Sequence, residues 1–232
     1  MFGAEMQMHV LAVEYPGYGL YKTSRPDEEK MKEDADTVYD YLTQVVGVKE
    51  SDVVLFGRSM GSGPTSYLAS RKECHSLLLM SPYMSIKDAA RSLLGWASFL
   101  TVIVYERFRN IDLISQAKCP VFFLHGQKDT LIPHQHSIEL NRVCPRESYL
   151  HLPPEMDHNE FQLIDDLVAP FKQFISQLEA PQRKAAGVSF RPPEEIKAAA
   201  TAAAAGETPS QGQGSSQGGS TTGDSTNTST ND

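Results

Sequence analysis

The chain has 232 residues, 40% of them hydrophobic and 22% charged, which is ordinary for a globular protein with length for one sizeable core. A formal net charge of −8, with no stripe of Lys and Arg to neutralise phosphates, excludes nucleic acid as the main partner. The three cysteines, Cys74, Cys119 and Cys144, form neither a C-x-x-C pair nor an even framework, which points to a reducing, cytoplasmic compartment.

The N-terminal stretch MFGAEMQMHVLAVEY lacks the basic region and cleavage site of a secretory signal. Within it, Met8 to Val13 is a candidate strand, followed by the turn YPGYG. Residues 27–46 carry Met31, Ala35, Val38, Leu42 and Val45 at helical spacing. Asp52 to Phe56 reads as the next strand and Gly61 to Lys72 as the helix after it. The apolar runs HSLLLM (75–80), CPVFFLH (119–125) and ESYLHL (147–152) are further strands, and such runs fit strands buried on both faces. Between them lie a long segment at 81–118 and a helix over His134–Val143; a last amphipathic helix spans about Glu160 to Leu178. The run SLLGWASFLTVIVY (92–105) is too short to cross a bilayer. Strands alternating with helices predict an α/β fold, a mostly parallel sheet flanked by helices, over residues 1–180, with a small cap within 81–118. Residues 181–232 are low in complexity and short of large apolar side chains, and read as a disordered tail.

One junction carries chemistry. In VVLFGRSMGSGP (53–64) an apolar strand stops at Gly57-Arg58-Ser59-Met60-Gly61, a G-x-S-x-G pentapeptide opening a helix of small residues. The pattern alone is weak, and Gly214 to Gly218 matches it within the tail. The strand-turn-helix context distinguishes Ser59: a sharp elbow there exposes the serine oxygen, and the N–H of Met60 faces the site as an oxyanion donor. A serine nucleophile needs a base and an orienting carboxylate, each just after a strand. Asp129 in VFFLHGQKDTLIP and His158 in YLHLPPEMDHNEF meet that requirement in the order Ser, Asp, His.

Each of these residues has a bland alternative. Ser59 is incidental to a glycine-rich turn, Asp129 is a turn former, and His158 caps a helix or sits in a solvated loop. His125, His134, His136 and His151 are competing bases. His125 and His151 fall in or at the end of strands, where a packed, hydrogen-bonded ring is expected, and His134 and His136 open a surface helix. Asp157 stands next to His158, a poor position from which to orient it. The histidines near Asp129 make no H-x-x-x-H or H-E-x-x-H pattern, so no metal is expected, and no organic cofactor.

The set VEYPGYG (13–19), LFGRSMGSGP (55–64), LLMSPY (78–83), CPVFFLHGQKDTLIP (119–133) and MDHNEF (156–161) resembles the α/β-hydrolase superfamily, and within it the branch of α/β-hydrolase domain-containing protein 17. The likeness covers about residues 8–178. It implies a serine hydrolase that removes palmitoyl thioesters from proteins at the cytoplasmic face of membranes, with Ser59 as nucleophile, Asp129 as acid and His158 as base. Tyr15, Trp96 and Phe99 are candidate substrate contacts, Trp96 and Phe99 as part of a groove for a lipid chain or a peripheral membrane contact, with a buried cap helix as the alternative. The resemblance also implies an H-G segment upstream of YPGYG that supplies a second oxyanion donor, and a strand between the YPGYG strand and the elbow strand. Neither is present in this sequence, so the expected fold lacks its first strands. An incomplete chain, a partner that fills the gap, and a decayed domain kept for binding all remain open. The corresponding functions are an acyl-ester or thioester hydrolase, a silent interaction module, and a peptidase of the same superfamily.

Overall fold

A computed structural model describes residues 2–22, 25–94 and 106–180. Its centre is a sheet of four parallel strands in the order of the chain: β1 (Val54–Arg58), β2 (Ser76–Met80), β3 (Val121–Leu124) and β4 (Ser148–His151). Every residue of β2 and β3 is buried. That follows from their sequences, because continuous Leu, Val and Phe side chains need apolar cover on both faces of a sheet.

The two-residue alternation of strand side chains divides the core into two layers. Leu55, Leu77, Leu79, Val121, Phe123 and Leu150 meet α2 (Glu28–Asp40), α3 (Ser62–Arg71), α5 (Asn110–Ile114) and α6 (Gln135–Val143) through Ala35, Tyr39, Leu68, Ile114 and Leu140. On the other face, Leu78, Met80, Phe122 and Leu124 meet α1 (Phe2–Met6) and α7 (Ala169–Glu179). Phe122 centres this second layer, its ring 5.4 Å from those of Tyr149 and Phe171 and 5.5 Å from that of Phe174. Phe122→Ala is therefore expected to cost about 3–5 kcal/mol of stability, read as a lower urea midpoint with unchanged slope.

Two helices depart from their predicted form. The helix predicted over 27–46 is α-helical to Asp40 and continues as a π-helical turn at Tyr41–Val45. The last helix begins with a π-helical stretch, Leu163–Val168, before α7. Asp27 caps α2 by accepting the N–H of Lys30 at 3.0 Å, which sets the start of that helix where the sequence places it.

The predicted strand at Met8 to Val13 does not form. Among the described residues that stretch has no regular structure, and Val10 and Leu11 are 63% and 59% exposed. A strand needs a partner edge in register, and among the described residues Met8–Val13 pairs with none. The outer edge of β1 pairs with no strand among the described residues, so β1 rather than Met8–Val13 borders the sheet. Of the predicted cap at 81–118, the described parts are α4 (Ile86–Leu94) and α5. Trp96 and Phe99 lie outside the described residues, as does the predicted tail.

Candidate active site

β1 ends at Arg58, and the chain turns through a single 3-10 turn, Ser59–Gly61, into α3. Ser59 has φ +50°, a left-handed backbone that a serine adopts only where its surroundings enforce it. Those surroundings are visible. A Cβ on Gly57 would stand 2.1 Å from Thr65 Oγ1 and 2.6 Å from the carbonyl of Gly61, so the strand can approach the helix only as glycine. Ser62 Oγ donates to the Ser59 carbonyl at 2.7 Å, and buried Asn110 donates to Ser62 Oγ at 3.1 Å and to the Tyr83 carbonyl at 2.9 Å. Gly57→Ala is expected to push β1 and α3 apart, lowering stability by about 1–3 kcal/mol and reducing turnover. Thermal unfolding beside a rate assay checks both.

The turn aims Ser59 at the loops that follow β3 and β4. Ser59 Oγ lies 3.1 Å from His158 Nε2, and His158 Nδ1 lies 2.7 Å from Asp129 Oδ2. Backbone bonds tie the two loops together: Gln127 N–H donates to the Pro153 carbonyl and Lys128 N–H to the Met156 carbonyl, each at 3.0 Å. Arg58 fastens the His158 loop to the elbow, donating to the His158 carbonyl at 2.6 Å and to Asn159 Oδ1 at 3.0 Å.

Asp129 is both a turn former and an orienting carboxylate. Its Oδ1 accepts the N–H groups of Leu131 at 2.9 Å and Ile132 at 2.8 Å, and its Oδ2 faces His158 and, at 3.3 Å, the Nε2 of buried His125. Burial penalises the charged carboxylate, but hydrogen bonds from His125, His158 and the Ile132 N–H outweigh it and hold its pKa well below the usual carboxylate range. With Asp129 ionised, His158 keeps its proton on Nδ1 and offers Nε2 to the serine. This arrangement can take a proton from Ser59 as it attacks an electrophile.

No protein-family model matches the chain. Among curated proteins it is similar to α/β-hydrolase domain-containing protein 17C of Mus musculus and of Homo sapiens, 30% identical to each over 174 residues. The match covers 75% of this chain and 52% and 51% of theirs. Among solved structures it is similar to Est1E from Butyrivibrio proteoclasticus, with a TM-score of 0.53 and 19% identity over 66% of this chain and 70% of that one. Acetyl xylan esterase 1 from Thermoanaerobacterium gives a TM-score of 0.51 and 17% identity over 65% of this chain and 53% of that one. The chain belongs to the α/β-hydrolase superfamily. It spans about half the length of the curated relatives it matches.

In this α/β-hydrolase chain none of the competing histidines is hydrogen-bonded to Ser59. His125 is packed as expected, between Ser137 Oγ and the Ile132 carbonyl, each at 2.7 Å. The ring of His151 stacks with that of Tyr149, and His134 faces Gln135. Asp157 accepts the N–H groups of Asn159 and Glu160, each at 2.7 Å, and does not orient His158. His136 departs from its predicted place on a surface helix, because its ring is buried.

Beside the serine lies a cleft of about 180 Å³, lined by Ser59, Met60, Tyr83, Ile86, Ala89, Ala90, Leu131 and Ile132. Met60, the expected oxyanion donor, is among them, and its N–H stands in the first turn after the strand, where an N–H has no intrahelical acceptor. Tyr15 is not among the lining residues; its hydroxyl lies over Gly61, 3.1 Å from where a Cβ would sit. Sequence reasoning missed Ile86, Ala89 and Ala90 as the α4 wall. Their i, i+3, i+4 spacing was the available signal. Among the described residues, no group of three or more His, Cys, Asp and Glu is placed to hold a metal ion, and no helix is long and apolar enough to cross a membrane.

Proposed function

We propose that this chain carries a serine hydrolase site that cleaves acyl esters or thioesters through an acyl-enzyme on Ser59. The observation that carries the reading is the hydrogen-bonded line from Ser59 Oγ through His158 to Asp129, 3.1 Å and then 2.7 Å, set on a strained elbow. His158 Nε2 takes the serine proton as Oγ adds to the acyl carbonyl, and the oxyanion forms toward the Met60 N–H. The tetrahedral intermediate collapses, expels the leaving group with the proton held by His158, and leaves the acyl group on Ser59. A water molecule deprotonated by His158 then releases the acid and restores the serine. A thioester suits this site, because a thiolate leaves with little help from an acid.

The apolar cleft supports an acyl group as the part of the substrate held by the protein. A cavity of about 150 Å³ accommodates a benzene-sized apolar molecule, so the cleft encloses the first carbons beyond the carbonyl and a longer chain leaves by its open end. The likeness to the domain-containing protein 17 branch directs the proposal to palmitoyl thioesters of proteins at the cytoplasmic face of membranes.

The test compares an S-palmitoyl peptide, an S-acetyl peptide and an aminoacyl amide. Release of acyl groups from the first two, absent in Ser59→Ala, is the expected result. Preferential cleavage of the amide contradicts the acyl reading and favours a peptidase.

A further inference from the structure

α4 walls the cleft at Ser59, yet none of its described side chains is buried. Its faces divide at helical spacing: Ile86, Ala89 and Ala90 turn to the cleft, while Asp88 and Ser92 turn to a second cavity of about 290 Å³ shared with α6. Ile86 and Ala89 pack against the buried cluster of Met31, Tyr83, Phe108 and Ile132, and polar contacts add to that hold. Ser85 Oγ accepts the Asp88 N–H at 3.1 Å, Ile86 N–H donates to the Arg107 carbonyl at 3.1 Å, and Arg91 pairs with Asp88 at 2.9 Å.

A polar contact joins α4 to α6. His136, in the first turn of α6, sets Nδ1 3.2 Å from the N–H of Met84 and Nε2 3.1 Å from Ser92 Oγ. A backbone N–H can only donate, so Nδ1 carries no proton. The ring is neutral, with its hydrogen on Nε2 directed at Ser92 Oγ. Ser92 Oγ passes the chain on to the Asp88 carbonyl at 3.2 Å. A second proton would put an N–H on Nδ1 against the Met84 N–H, two donors face to face.

We propose that His136 is a positioning residue for acyl selectivity: its neutral ring clamps α4 against the cleft at Ser59, and its protonation releases that wall. The inference rests on the acyl-hydrolase reading. Around the ring stand Asp88 and Arg91 from α4, Glu139 from α6, and His125 and Asp129 from the loop after β3. Glu139 is paired with Arg142 at 2.8 Å. Burial is the largest influence and lowers the pKa of His136; His125 adds to it, and Asp88 and Asp129 oppose it without reversing it. The clamp is therefore complete above the ordinary histidine value of 6.5 and is lost as pH falls through the lower value of the folded protein.

The experiment takes two readouts from wild type, His136→Gln and Ser92→Ala. The first is the ratio of kcat/KM for a hexanoyl to an acetyl nitrophenyl ester, followed from pH 7.5 down to the acid limit of the folded chain. A pH effect on the catalytic step shared by both esters cancels in the ratio. Each buried methylene is worth about a fourfold preference, so loss of the α4 wall lowers the wild-type ratio by roughly tenfold at the acid end. Gln supplies an oxygen acceptor and an N–H donor without titrating, so His136→Gln holds the ratio constant, and Ser92→Ala lowers it already at pH 7.5. The second readout is amide exchange over 86–94, corrected for intrinsic rate, which rises toward the acid end in wild type and not in His136→Gln. A flat wild-type ratio, or an equal fall in His136→Gln, overturns the proposal. Exchange that responds to pH through His136, with neither ester hydrolysed, overturns the acyl-hydrolase reading and leaves the clamp standing.

Discussion

Replacing Ser59 with alanine is expected to cut acyl-ester turnover by about a millionfold, the scale seen when a serine nucleophile is removed from a triad. The effect is chemical and not structural. Among the described residues Ser59 Oγ is hydrogen-bonded to His158 Nε2, while the turn is braced through the Ser59 carbonyl and Gly57, which the substitution leaves in place. Stability should therefore change by less than about 1 kcal/mol. A rate assay with a short-chain ester, run beside a thermal melt, separates the two. Turnover that survives the substitution means that another group is the nucleophile.

Asp129→Asn is expected to lower turnover by about ten-thousandfold without disturbing the loop. The amide keeps an oxygen for the N–H groups of Leu131 and Ile132, the bonds that shape the turn. It then presents N–H to His158 Nδ1, so that the imidazole must place its proton on Nε2 and can no longer accept from Ser59. The same substitution carries a pH signature in stability. The pKa of Asp129 is depressed by folding, so the unfolded chain binds its proton first as pH falls. The ionised carboxylate contributes fully above the unfolded value of about 3.9, and the contribution is lost as pH falls through the lower folded value. Urea midpoints of wild type and Asp129→Asn should therefore differ most near neutrality and converge in strong acid; a gap that widens in acid contradicts the hydrogen-bonding scheme.

What the sequence made legible was whatever depends on local pattern. Continuous apolar runs at 75–80 and 119–125 fit strands covered on both sides, and β2 and β3 are buried throughout. The order of Ser59, Asp129 and His158 was readable because each follows a strand, and parallel strands bring their following loops to one rim. Met8–Val13 was misread for the complementary reason. Its residues carry a strand-like apolar pattern, but pairing depends on a partner strand elsewhere, and among the described residues this stretch pairs with none. His136 was placed on a surface because the start of α6 is polar. Its burial comes from the Met84 N–H and Ser92, 52 and 44 residues away, which no local window contains. Trp96 and Phe99, where the sequence places the groove, lie outside the described residues; the described α4 face of the cleft presents Ile86 and two alanines, whose small size makes room beside the serine. Asp129 shows why weighing one role against another was inconclusive: its two oxygens serve the turn and the histidine separately.

The central claim is that His158 and the elbow make Ser59 an activated nucleophile. Its most direct test is labelling of the chain with a fluorophosphonate, with the modified peptide located by mass spectrometry in wild type, Ser59→Ala and Ser216→Ala. The account predicts one adduct, on Ser59, lost in Ser59→Ala and retained in Ser216→Ala. Absence of labelling in the folded wild-type chain, or an adduct on another serine, would contradict it.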